Sequence, residues 1–220
     1  MRARPPYRYE VMHMRYSKAR WAVVLLCLTS LASAVASDAA ISNSPPALKA
    51  GTFDPPRQAP DFDLLGSNSS ALRISNFRGK VVLLAFGFTS CTAVCPTTLN
   101  TFAVARRKLA ATAADVQVVY ITVDPQRDNS ARLKKYLDAF DPTFIGGTGT
   151  EQQLAAVRKS YGVSAQKQVA GDSYTYDHSS FTYLIDRSGR IRALMPYGHS
   201  PDDYVHDLTV LLKERLGHAP

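Results

Sequence analysis

Cys91 and Cys95, four residues apart where an apolar run gives way to a helical pattern, are the side chains of this sequence best suited to chemistry. A cysteine pair can ligate a soft metal, exchange with a disulfide, or close a structural disulfide, and the first two need the thiolate. The first turn of a helix has unpaired N–H groups and the positive end of the helix dipole, both of which favour a thiolate over a thiol. A spacing of four places both sulfurs on one side of the expected helix, on the face that Leu99, Phe102 and Leu109 continue. As a plain staple the pair is poor. So small a loop removes roughly 2 kcal/mol of unfolded-state entropy, and four-apart cysteines on a helix lie near the long limit of Cα separation for a disulfide.

The elements that must hold the pair follow from periodicity. Val81 to Phe86 is a nearly unbroken apolar run, as expected of a strand buried on both faces of a sheet. Val116 to Val123 is a second buried strand, ending at Asp124-Pro125. Asn129 or Ser130 caps a helix carrying Leu133, Tyr136, Leu137 and Phe140, with Asp128 itself reading as a helix cap. Phe144-Ile145 is a short strand closed by Gly146-Gly147, and Leu154, Val157 and Tyr161 mark the next helix. Phe181 to Ile185, a turn at Asp186 to Gly189, and Ile191 to Met195 form a hairpin. Ser200-Pro201-Asp202-Asp203 starts a terminal helix whose buried face is Tyr204, Val205, Leu208, Leu211 and Leu212. Phe62 to Leu65 and Ala71 to Ile74 flank a polar tip and form an opening hairpin. This order predicts an α/β, thioredoxin-like sandwich with a central mixed sheet and an N-terminal hairpin.

Sites in such sheets gather at the carboxyl ends of the parallel strands. Cys91 and Cys95 follow one of these ends and Asp124 the next. The strand Phe181 to Ile185 should run antiparallel to both, so His178, just before it, arrives at the same edge. Two thiolates and an imidazole suit Cu(I), whereas four-coordinate zinc wants a further ligand that the neighbouring sequence does not supply. Asp124 has two readings, an ordinary Asp-Pro turn or an accessory residue of the site. The tyrosine-rich stretch Tyr174 to Tyr183 reads as strand and hairpin packing. His199 and His206 have no motif behind them, and His206 falls off the apolar face of the last helix.

The formal charge of +8 is concentrated at the start of the chain. Met1 to Arg20 hold six Lys/Arg and one acidic residue, leaving 20 basic against 17 acidic residues and no dense basic run, which argues against nucleic acid as a partner. No G-x-G-x-x-G or phosphate-binding loop occurs. Trp21 to Ser37 is apolar and ends at Ala34-Val35-Ala36, so residues 1–37 read as an export signal or an N-terminal membrane anchor. Residues 38–58, rich in Pro, Ser and Ala, read as a tether, and residues 59–220 as the folded domain. Cys27 lies in the apolar segment, so Cys91 and Cys95 are the cysteines of the domain.

Three motifs in order, F-G-F-T-S-C-T-A-V-C-P-T-T-L (Phe86 to Leu99), T-V-D-P-Q-R-D (Thr122 to Asp128) and Y-D-H-S-S-F-T-Y-L-I-D-R-S-G-R (Tyr176 to Arg190), resemble the Sco/SenC family of copper-binding assembly factors. With A-P-D-F at Ala59 to Phe62, the similarity covers roughly Ala59 to Leu216. It implies an exported or membrane-anchored thioredoxin-like domain that binds copper through Cys91, Cys95 and His178. Asp124 would be important to the site or to partner contact. It implies delivery of the metal to an apo cytochrome c oxidase subunit that forms the binuclear copper site, and a thiol reductant that keeps the cysteines reduced. Where that family has Pro-Asp after its first cysteine, this sequence has Thr92-Ala93. The location implied is the periplasm or the inner membrane facing it, with the mitochondrial inner membrane as the alternative. The competing activity is thiol-disulfide exchange that reduces the target's cysteines, with Cys91 as the attacking sulfur.

Overall fold

The computed structural model describes residues 47–214, and the expected leader of residues 1–37 lies outside them. Eight strands form one sheet, and four helices pack on it. In chain order the strands are β1 (Gly51–Gln58), β2 (Leu64–Gly66), β3 (Ala71–Leu72), β4 (Val81–Gly87), β5 (Val116–Thr122), β6 (Ile145–Thr148), β7 (Ala165–Ala170), β8 (Ser173–His178), β9 (Phe181–Ile185) and β10 (Arg190–Pro196). The helices are α1 (Val94–Leu109), α2 (Ser130–Asp138), α3 (Glu151–Tyr161) and α4 (Pro201–Lys213). The main sheet runs β1-β10-β9-β4-β5-β6-β2-β3, while β7 and β8 form a separate antiparallel hairpin. Pairing is parallel between β4 and β5 and between β5 and β6, and antiparallel elsewhere in the sheet. This is the expected thioredoxin-like α/β sandwich with a mixed sheet.

Strand β4 shows why its sequence is apolar throughout. Val81, Leu83 and Ala85 face a core shared with Leu99 and Phe102 of α1, Leu133 and Leu137 of α2, and Tyr204 and Leu208 of α4. Val82, Leu84 and Phe86 face the opposite core, with Leu154, Val157 and Tyr161 of α3. Both faces are dry, so neither tolerates a polar residue. Gly146, expected to end the third parallel strand, instead lies within β6. A Cβ there would fall 2.9 Å from Leu133 Cβ, so glycine is what lets α2 lie close against the sheet.

The folded region starts earlier than its expected boundary at residue 59. Gly51–Gln58, read as the end of a tether, is the edge strand β1, paired antiparallel with β10. Its residues are mostly exposed, which hides the apolar alternation that marks a strand. Part of what fixes it is a side chain from the far end of the chain. The fully buried Asp207 of α4 accepts hydrogen bonds from the backbone N–H groups of Lys49 (2.7 Å) and Ala50 (2.9 Å). His206, expected in solvent, also sets its Nδ1 2.9 Å from the same carboxylate.

Removing that carboxylate strands two backbone donors at a buried position. Asp207→Ala is expected to lower stability by about 2 kcal/mol, the scale of an unsatisfied buried donor, with amide exchange rising first in Gly51–Gln58. Chemical denaturation and hydrogen exchange by mass spectrometry check it; unchanged protection of β1 would refute the anchoring role.

Candidate metal centre

The two cysteines do not share the helix. Helix α1 begins at Val94, so Cys95 sits in its first turn while Cys91 lies in the loop before it, a correction to the expectation that both sulfurs ride on helical turns. The reason is local. The cap residue Ala93 has no side chain able to accept a hydrogen bond, and Cys91 Sγ takes that part, accepting from the Cys95 N–H at 3.4 Å. The sulfurs still converge, because the loop folds back over the helix end.

Their environments differ. Partial burial opposes the Cys91 thiolate, but the backbone N–H groups of Cys95, Ala93 and Val94 outweigh it and lower the Cys91 pKa. Cys95 is almost wholly buried, and desolvation pushes its thiol up to about 12 despite a lowering contribution from the Tyr120 hydroxyl. The helix entrance therefore favours one thiolate, not two.

His178, the last residue of β8, reaches the same place. Its Nε2 lies 3.8 Å from Cys95 Sγ, and its ring packs edge-on against Phe88 at 6.0 Å between centroids. Its Nδ1 lies 3.0 Å from the Ser179 carbonyl oxygen, which can only accept, so Nδ1 is the protonated nitrogen. The Nε2 lone pair is thereby turned toward the sulfur, the arrangement in which a histidine ligates a metal. Two sulfurs and an imidazole nitrogen are a soft donor set that fits copper(I). Among the described residues no three His, Cys, Asp or Glu side chains stand close enough to enclose an ion as they are.

Asp124 is fully buried and accepts from the Tyr174 hydroxyl of β8 at 3.0 Å and from Arg127 Nε. Arg127 also donates to the Tyr174 carbonyl oxygen at 3.0 Å, with its guanidinium 3.8 Å from the Tyr174 ring centroid. Asp124 thus holds the hairpin that carries His178.

Asp128 is more than the helix cap it resembles in sequence; Asn129 is the cap of α2. The Asp128 carboxylate is fully buried and accepts from Thr89 N–H (2.9 Å), Thr89 Oγ1 (2.6 Å) and Thr122 Oγ1 (2.7 Å). Arg132 of α2 closes the clamp from outside, donating to Thr89 Oγ1 (2.7 Å) and Ser90 Oγ (3.1 Å). In the sequence Asp128 closes the T-V-D-P-Q-R-D motif but reads as a helix cap. Arg132 had none. His199 stands apart from this cluster, beside Asp203 at 3.4 Å.

Comparisons with known proteins identify the family. A family profile described as SCO1/SenC matches residues 51–213. The chain belongs to the SCO1/SenC family. It is 42% identical over 134 residues to an SCO2-like protein of Rickettsia felis, a stretch that is 59% of this chain and 65% of that relative. Bradyrhizobium japonicum ScoI, solved with copper bound, is similar with a TM-score of 0.66 and 36% identity over 70% of this chain and 99% of that one. Apo Sco1 of Thermus thermophilus is similar with a TM-score of 0.69 and 34% identity over 76% of this chain and 98% of that one. This SCO1/SenC chain spans about 65% of the length of its first curated relatives.

The unequal sulfurs predict unequal reactivity. In the reduced protein iodoacetamide should alkylate Cys91 well before Cys95. The Cys91 rate should rise through a midpoint below that of an ordinary thiol, while Cys95 stays protonated until far more alkaline pH. Peptide mass mapping across pH 6 to 10 reads both. Equal labelling at neutral pH would show that the loop opens too readily for this asymmetry to operate.

Proposed function

We propose that this SCO1/SenC chain is a copper metallochaperone in which reduced Cys91 and Cys95 with His178 hold one Cu(I) and pass it to the apo copper-site subunit of cytochrome c oxidase. The observation that carries this reading is the His178 imidazole, fixed at Nδ1 and presenting Nε2 at 3.8 Å from Cys95 Sγ. Disulfide exchange needs only a nucleophile and a resolving thiol and gains little from such a ligand. The copper-bound ScoI of Bradyrhizobium japonicum supports the choice of metal. The basic, then apolar, residues 1–37 support export, with the domain in the periplasm or held to the inner membrane facing it; in a mitochondrial setting the corresponding place is the inner membrane. In either compartment a thiol reductant must keep the pair reduced. Asp124 and Asp128 act as positioning residues for the two loops.

The difference between the sulfurs also favours a second reading, a thiol-disulfide oxidoreductase. Thiolate Cys91 would attack a disulfide in the target, expelling one target thiolate and forming a mixed disulfide. Cys95, losing its proton, would attack the Cys91 sulfur and expel the second target thiol. Two electrons pass to the target, and the chain is left as the Cys91–Cys95 disulfide until an external thiol reduces it.

His178→Ala separates the two. Metal retention under chelator competition should fall by about two orders of magnitude, the upper range for disturbing a metal's immediate surroundings, and oxidase assembly in cells should fail with it. The rate at which the reduced pair cleaves a model disulfide should change little. Normal oxidase assembly by a variant that no longer holds copper would end the delivery reading. Asp124→Asn should weaken copper binding less and raise amide exchange in Ser173–His178; an effect on copper with no change in that hairpin would overturn its positioning role.

A further inference from the structure

Among the described residues Tyr120 is the largest fully buried side chain, on β5 beside α1 and α2, and its hydroxyl has no hydrogen-bonding partner of ordinary geometry there. A buried hydroxyl left unsatisfied is destabilising, and phenylalanine would fill the same space without that cost. Packing accounts for the ring, which lies 6.3 Å from Tyr136, but not for the oxygen. What the oxygen faces is sulfur. Tyr120 Oη and Cys95 Sγ close over Gly87 of β4, where a Cβ would fall 2.2 Å from the oxygen and 2.8 Å from the sulfur. The glycine thus clears one small space in which the two atoms meet. Both residues also line the cleft that opens between His178, Phe181 and Tyr197. The hydroxyl already draws the Cys95 thiol toward ionisation, against the larger effect of burial.

We infer that Tyr120 is a positioning residue of the copper site, whose hydroxyl donates a hydrogen bond to Cys95 Sγ when that sulfur carries negative charge as a metal ligand. The inference rests on the metal-site reading above. A thiol is a weak acceptor and leaves the hydroxyl unsatisfied, whereas a thiolate is a charged one, and charge-assisted bonds are about twice as strong as neutral ones. The buried oxygen is therefore better satisfied beside a charged sulfur than beside a thiol. That difference adds to metal affinity. It also draws electron density from the sulfur and sets the energy of sulfur-to-copper charge transfer.

The test compares the full chain with Tyr120→Phe and Cys95→Ser. Cu(I) affinity is read by competition with a bathocuproine chelator, the sulfur-to-copper absorption band after loading with Cu(II), and stability by urea denaturation. Tyr120→Phe should bind one copper with affinity lowered about tenfold or more, the scale of a hydrogen bond to a charged group. Its band should move to longer wavelength, and its urea midpoint should stay the same or rise. A merely structural tyrosine would lower the midpoint and leave the band in place. An affinity within threefold of the parent chain, or an unmoved band, beside an impaired Cys95→Ser overturns the inference alone. Failure of the parent chain to bind copper, or full affinity in Cys95→Ser, overturns the metal-site reading and this inference with it.

Discussion

Two carboxylates that water cannot reach, Asp124 and Asp128, stand at the carboxyl end of β5, and each ties down one of the two segments from which the site is assembled. Asp128 collects three hydrogen bonds from Thr89 and Thr122, fixing the stretch that leads from β4 into Cys91. Asp124 collects Tyr174 and Arg127, fixing the hairpin that ends at His178. Buried charges are tolerable only when so compensated, and breaking one side of such a network leaves an uncompensated charge behind. The cysteine and histidine segments, over eighty residues apart in sequence, thus meet because both are tethered to one five-residue turn. The rest of the fold supplies the platform: parallel β4 and β5 in register from Val81 with Val116 to Gly87 with Thr122.

The platform was readable from the sequence because its signals are local. Val81 to Phe86 could be placed as a strand buried on both faces, since a continuous branched apolar run has few other solutions, and Ser200 to Asp203 announces its helix through a serine cap, a first-turn proline and two carboxylates, which the structure completes with a capping box. Cys91, Cys95 and His178 were legible as residues worth watching, and strand direction brought them to one edge. What escaped was anything whose cause lies far away in sequence. Strand β1 is exposed and polar and is held by a carboxylate from α4; strand β7 is Ala-Gln-Lys-Gln-Val-Ala, with no apolar alternation, and stands only by pairing with β8. Asp128 looked like a cap because its three partners come from two other segments. The position of Cys91 was missed for a local reason instead: Ala93 offers the helix no cap, and the Cys91 sulfur takes that part.

The inequality of the two sulfurs reconciles the two functions that such a pair can serve. A half-buried thiolate at a helix entrance and a buried thiol behind it are a nucleophile and a resolving group, as disulfide exchange requires. The same depth that protects Cys95 puts it against His178 on one side of the cleft and Tyr120 in the core. A soft ion bound there would be held by two half-buried ligands, Cys91 and His178, and one buried ligand, Cys95. Exchange to an acceptor would then begin at one of the half-buried ligands, which an incoming sulfur or imidazole can displace without opening the core.

Cys91 is also the cap of α1. With Thr92-Ala93 before Val94, no side chain at the cap position can accept a hydrogen bond, and the orphan N–H of Cys95 falls to the Cys91 sulfur. Any partner that draws this sulfur away, whether an ion or a target disulfide, takes it in competition with the helix end. The competition is mild, on the scale of one capping interaction, about 1 kcal/mol. It nonetheless has a direction. It favours the state in which Cys91 is returned to the helix, and so favours release of whatever Cys91 has engaged. Under the proposed copper-delivery role, a ligand with a second occupation inside its own fold shifts the balance from storage toward delivery.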